Sequence, residues 1–171
     1  MPFTPFHWGP NSVLGVALTK IFDLPTLLVA CVIVDLEPLS VMAFGWHYPL
    51  HGFFHSFMGA TLAGLGTAAL MVPLQPYLRI FTTPLRLAQD SSWLKILWTS
   101  LFGVFSHVLL DAPLYRDIQP FYPLAKNPFY RLFEFETIYL FCAVCFGIAL
   151  IAYVMKITLT REKSEEKTSG I

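Results

Sequence analysis

The sequence predicts an all-α polytopic membrane protein: three full transmembrane helices plus an N-terminal helical hairpin or a fourth span. Of its 171 residues, 56% are hydrophobic and only 13% are charged, where soluble domains carry roughly 25% charge. Three apolar stretches, near Leu50–Leu74, Trp93–Leu110 and Phe135–Leu159, approach or exceed the roughly 20 residues of a bilayer crossing. The aromatic content of 16% suits a chain whose rings anchor at the two membrane interfaces.

The first ten residues hold early prolines and no basic cluster, so no removable signal peptide is expected. The region Asn11–Leu36 is apolar but interrupted by Lys20, Asp23 and Pro25. One continuous span would bury Lys20 and Asp23, at roughly 3 kcal/mol each. A hairpin avoids this, with a helix Ser12–Phe22, a break at Asp23-Leu24-Pro25 and a helix Thr26–Asp35. Pro25 suits a helix start, where its missing N–H is unpaired in any case. Irregular backbone at that depth must be covered by protein. A single span is the alternative. Asp35-Leu36-Glu37-Pro38 reads as a turn, because the residue before proline is pushed out of the α region.

Gln75–Ser92 reads as a loop with Pro76, Pro84, Arg79 and Arg86, and Ala112–Glu134 as a long proline-rich loop. Residues 1–159 form one membrane-embedded helical domain; 160–171 are expected to be a disordered charged tail. Arg79, Arg86, Lys95, Lys156, Arg161, Lys163 and Lys167 share one side, against Arg116, Lys126 and Arg131 on the other. The positive-inside rule then puts the tail in the cytoplasm. The zero net charge shows no nucleic-acid footprint. Cys31, Cys142 and Cys145 sit inside apolar runs and read as small buried hydrophobes, not as a disulfide framework.

Two pairs of metal-type ligands stand at the ends of apolar runs: His51 with His55, and His107 with Asp111. Both have i, i+4 spacing, so on a helix each pair shares one face. Gly59 and Ala63 follow His55 at the same interval, and Thr99 and Gly103 precede His107. Small residues so spaced let helices approach closely in lipid, and two such stripes packed together would join the ligand-bearing ends into a metal site at one rim. By the charge count that rim faces outward. Asp35 and Glu37 lie at the same rim, and His7 joins them only if the hairpin forms. Imidazoles mixed with carboxylates suit zinc, manganese or iron. No cysteine belongs to the set, so a Cys-rich structural zinc site is excluded. A mixed His/Asp site with open positions is the catalytic type. His47 reads as an interfacial residue, and Glu134 and Glu136 as charges favouring a helix N-terminus. Arg116 and Asp117 either orient a substrate or pair with each other.

In order along the chain, His7, Asp35-Leu36-Glu37-Pro38, His51-Gly52-Phe53-Phe54-His55-Ser56 and Ser106-His107-Val108-Leu109-Leu110-Asp111 resemble the YdjM-like family of membrane-bound predicted metal-dependent hydrolases. That family is distantly similar to the zinc-dependent phospholipases C and single-strand nucleases. The resemblance implies metal ligation by His7, Asp35, His55, His107 and Asp111, with Asp111 bridging if two ions bind. The family pattern Pro-Asp-x-Asp stands here as Val34-Asp35-Leu36-Glu37, and one residue fewer separates His51 from His55. The later histidine ligands of the soluble enzymes have no counterpart, so one or two ions are expected, zinc first. The expected activity is hydrolysis of a phosphoester by a metal-activated water, with lipid-linked phosphoesters among the candidate substrates and Glu37 and His51 as candidate catalytic residues. The alternatives are a non-enzymatic metal-binding membrane protein, such as a transporter or sensor component, and a protein whose His and Asp residues only join helices.

Overall fold

Helix α2 starts at Leu24 because Asp23 caps it and Pro25 sits in its first turn. In the computed structural model residues 5–169 are described, with side chains through Leu159. The helices are α1 (Trp8–Ala17), α2 (Leu24–Ile33), α3 (Leu36–Phe44), α4 (Phe57–Thr82), α5 (Trp93–Asp111) and α6 (Phe135–Ser169). Short 3-10 turns at Pro5–His7 and Phe53–His55 precede α1 and α4. Helices α4, α5 and Phe135–Leu159 of α6 are long and apolar enough to cross a membrane. The expected tail at 160–171 concerns side chains outside the described residues; the backbone of α6 runs on as helix to Ser169.

The hairpin forms, with shifted bounds: α1 begins at Trp8 and ends at Ala17, and the break covers 18–23. The candidate fourth span is not Asn11–Leu36 but the pair α2 and α3, which meet at 41°. The expected turn falls at Val34-Asp35, so Glu37 and Pro38 lie in the first turn of α3. Pro38 is tolerated there because that N–H has no helical partner anyway. Gly45, at φ +63°, ends α3 in the left-handed conformation that favours glycine.

The hairpin turn is satisfied by polar side chains from α4, α5 and the segment joining them. The buried Asp23 carboxylate accepts from Thr26 N (3.0 Å), Gln75 Nε2 (3.0 Å) and Ser91 Oγ (2.6 Å). Asp23 N donates to Thr99 Oγ1, Leu24 N to Gln89 Oε1 and Lys95 Nζ to Thr19 O. Of the residues that argued against a single span, Asp23 anchors the hairpin turn, as irregular backbone covered by protein requires, while Lys20 is exposed.

Helix α5 packs on both α2 and α4, and α1 packs on α2 and α6. Ser100 Oγ donates to the Gly64 carbonyl (2.7 Å), fixing α5 against α4. Gly103 meets α2 instead, where an added Cβ would come within 2.6 Å of Ala30 Cβ. The expectation that the two small-residue stripes face each other is thus corrected: the stripe leading to His107 serves the α2 contact. Helix α4 continues past Pro73 and Pro76, which were expected near its end and in a loop. Leu74 and Leu78, beside the prolines, pack with Leu97 onto a cluster of Ala68, Met71 and Ile96 that holds this stretch against α5.

Asp23→Ala would strand three or more donors in a buried turn, each costing about 1–3 kcal/mol. Its thermal transition in detergent, read by thiol reactivity of the buried Cys31, should fall clearly, and that of Asp23→Asn less. An unchanged transition would show that the turn does not depend on this carboxylate.

Candidate metal centre

The bend after α2 creates the site. In a continuing helix Asp35 N would bond the Cys31 carbonyl; here it donates to Val32 O (3.1 Å) instead. The freed Cys31 carbonyl is taken by His107 Nδ1 at 2.8 Å. His107 is fully buried, and its Nε2 points at Asp35 Oδ1 and Asp111 Oδ2, each 3.4 Å away. His107 and Asp111 share one face of the last turn of α5, as the i, i+4 spacing predicts.

His55 reaches the same point differently. It is not on a helix with His51, as the spacing suggested, but ends the 3-10 turn just before Ser56, which caps α4 through Gly59 N. A glycine is needed at 59 because a side chain there would run into the Phe53 carbonyl. Glu37 arranges this segment: its carboxylate accepts from Gly52 N (3.0 Å) and Phe54 N (3.1 Å) and meets His55 Nδ1 at 2.9 Å. His55 Nε2 then lies 3.9 Å from Asp35 Oδ1. Glu37 sits behind His55, a positioning residue whose oxygens are already engaged.

One ligand atom from each of Asp35, His55, His107 and Asp111 lies within 4.8 Å of the others, and all four residues are buried. A tetrahedral zinc shell with bonds of 2.0–2.1 Å has ligand separations of about 3.3 Å; the two 3.4 Å contacts of His107 match this, and the set as a whole is wider, up to 4.8 Å. The hydrogen bonds supply a second test. The Cys31 carbonyl and the Glu37 carboxylate are acceptors, so His107 and His55 donate from Nδ1. In the neutral rings Nε2 is then a bare acceptor, and both Nε2 atoms are buried without a hydrogen-bond partner. Lone pairs facing carboxylate oxygens need positive charge between them, and a ligating histidine is held by its second nitrogen in this manner. The donor set fits a divalent cation.

His7 stands beside this group of four. Its Nε2 is 3.2 Å from Asp111 Oδ1, on the carboxylate oxygen away from His107, and its ring lies over His107 with centroids 4.1 Å apart. The hairpin brings it there, and Asn11 Nδ2 fixes its carbonyl (2.8 Å). Burial, and then the neighbouring His107, hold the His7 imidazole below its ordinary pKa against the pull of Asp111 and Asp35. His51 lies on the other side, edge-on to His55 at 4.8 Å and stacked on Tyr115 at 4.2 Å. Its Nδ1 meets Asp117 Oδ1 at 3.0 Å, and its backbone N donates to Asp117 Oδ2. Burial lowers the His51 pKa, the His55 ring adds to this, and Asp117 opposes it. Asp117 therefore pairs with His51, neither with Arg116 nor with an open site. The signal was its position six residues after Asp111. The Cys31 carbonyl carried no such signal. His47 is exposed and apart from the cluster.

Directly beneath the centre, Ala30, Val34, Ala60, Val104 and Val108 form an apolar cluster. It separates the metal-type ligands from the polar groups around Asp23.

A family model described as YdjM inner membrane protein matches residues 9–168. No curated protein and no solved structure matches the chain. With its three apolar helices, or four spans if α2 and α3 count as one, the chain is an integral, multi-pass protein that belongs to the YdjM inner membrane protein family.

Proposed function

We propose that this protein is a metal-dependent membrane hydrolase of phosphoesters, in which Asp35, His55, His107 and Asp111 hold one divalent ion. The convergence of two buried, unpartnered imidazole nitrogens on two carboxylates carries this reading. Zinc suits the set best, with manganese or iron next. When bound, such an ion polarises a phosphoryl oxygen and lowers the pKa of a coordinated water. His7 would serve a second ion shared through Asp111.

The remaining roles follow from the chain's own contacts. Asp117 holds Nδ1 of His51, which keeps Nε2 for chemistry. His51 would take a proton there from the attacking water, and Asp117 would stabilise the imidazolium. Glu37 positions His55. The apolar cluster beneath the centre favours an enzyme over a transporter, because an ion path would need polar groups along the spans. By the positive-inside rule the tail is cytoplasmic and the centre faces outward.

Metal content of the purified protein should be one or two equivalents and should drop to background in a His107→Ala/Asp111→Ala variant. Chelator should abolish turnover of an artificial phosphodiester such as bis(p-nitrophenyl) phosphate. Metal retained in the variant would move the site elsewhere, and a metal-loaded protein inert toward phosphoesters would remove the hydrolase reading.

The pH dependence has a definite sign. His51 accepts a proton only when neutral, and burial keeps it neutral down to and below its ordinary pKa of 6.5. The acid limb of the rate profile should therefore lie below pH 6.5. Asp117→Asn removes the charge that raises the His51 pKa, so the limb should move to lower pH while the rate falls by about 10²-fold or more. A limb that stays in place would show that His51 is not the group titrating.

A further inference from the structure

A groove of about 830 Å³ runs beside the centre, between α3, the segment 46–54 and α4. Its volume lies within the roughly 300–1,000 Å³ of small-molecule sites. Its walls are Ile33, Val34, Leu36 and Val41 on one side, and Phe53 and Leu70 among others opposite. Most polar groups in this lining are already used, the Trp46 indole N–H and the Tyr48 O–H apart. Ser40 Oγ donates to Leu36 O, and Thr67 Oγ1 to Ala63 O, each within its own helix. Tyr48 Oη accepts from Phe53 N, and Glu37, the one charged residue of the lining, is bonded to Gly52, Phe54 and His55. The groove therefore offers a ligand apolar surface and almost no hydrogen bond, which suits an aliphatic chain and disfavours a sugar, nucleotide or peptide backbone.

Its place identifies the source of that chain. The groove lies along α4, a helix long and apolar enough to cross a membrane, so it opens where lipid tails are the surrounding solvent. Its depth comes from the 41° bend between α2 and α3 and from the missing side chain of Gly66, beyond which there is open space. Its other end is shared with the centre: the Glu37 carboxylate that lines the groove also holds His55 at 2.9 Å. An amphiphile with its tail here has its head at that wall, one imidazole ring away from the ligand atoms of the centre.

We propose that this groove seats an aliphatic chain of a bilayer lipid whose phosphoester end is presented to the metal centre. The proposal rests on the hydrolase reading of that centre and names its substrate class as a membrane lipid. Gly66 is the position that tests it, because it lines the groove and an added Cβ there meets nothing within 4 Å. Gly147 on α6, equally open, is the matched control outside it.

The experiment is photolabelling of the full-length protein in mixed micelles with a diacyl phospholipid carrying a diazirine near one acyl terminus, with labelled peptides mapped by mass spectrometry. Label should concentrate on peptides from α3, 46–54 and α4, and excess unlabelled phospholipid should compete it away. Gly66→Phe should cut that labelling at least fivefold and Gly147→Phe should leave it unchanged, with metal content equal in all three. Gly66→Leu, a smaller obstruction, should give an intermediate loss and covers the case in which the phenylalanine variant does not fold. Label spread evenly over the exposed faces of α4 and α6, or unaffected at Gly66, would overturn the proposal. Labelling requires no turnover, so the two readings separate. Groove labelling in a protein inert toward every phosphoester leaves a lipid groove and removes the hydrolase. Turnover of a soluble phosphodiester without groove labelling leaves the hydrolase and removes the groove.

Discussion

The hydrogen bond from His107 Nδ1 to the Cys31 carbonyl is the constraint on which the rest of the site depends. It exists only because the helix after Leu24 stops short. The Asp35 amide turns to Val32, the Cys31 carbonyl is left over, and α5 must lie close enough for a histidine to take it. Gly103, one turn below His107, allows that approach against Ala30. The same bend sets Asp35 facing His107 and starts α3 with Glu37 placed to hold His55. One backbone irregularity thus orients two imidazoles and one carboxylate. A buried carbonyl without a donor costs about as much as a lost hydrogen bond, so the bend and the histidine require each other.

The chain divides its polar groups between two levels. Around Asp23, carboxylate, amide and hydroxyl groups satisfy one another and the hairpin turn. Around Asp35 and Asp111, carboxylates and imidazoles converge, and Nε2 of His55 and of His107 is buried without a hydrogen-bond partner. Between the levels lies an apolar layer with Ala30, Val104 and Val108 at its centre. The first cluster is complete in protein alone and serves the fold. The second carries three buried carboxylates, Asp35, Glu37 and Asp111, with side-chain exposures of 5%, 7% and 8%. Burying charge this densely is costly, and a divalent cation held by Asp35 and Asp111 would offset it. Incompleteness at one level, set against completeness at the other, distinguishes a binding site from a structural network.

Much of this was legible in the sequence, where side-chain chemistry alone decides the outcome. Helix α5 was readable almost to the residue, because a continuous apolar run ends at Asp111 with ligands one turn apart. The hairpin was readable from the cost of burying Lys20 and Asp23. What escaped depends on tertiary contact. The start of α4 was misplaced because His51 and His55 have helical spacing at the head of an apolar run, while Glu37, distant in sequence, captures the amides of Gly52 and Phe54 and winds the segment into a turn. Helix α3 was missed because Pro38 argues against a helix unless it falls in a first turn. Asp117 gave no pattern with His51, since 66 residues separate them and only the folded loop joins them.

The most direct test of the centre is X-ray absorption at the zinc edge of the zinc-loaded protein. A site made of Asp35, His55, His107 and Asp111 requires a shell of nitrogen and oxygen only, at about 2.0–2.2 Å, with imidazole outer scattering from two histidines or three if His7 joins. A sulfur contribution near 2.3 Å, from Cys31, Cys142 or Cys145, would place the metal elsewhere in the bundle. A shell without imidazole scattering would mean that the buried nitrogens of His55 and His107 serve only to join helices.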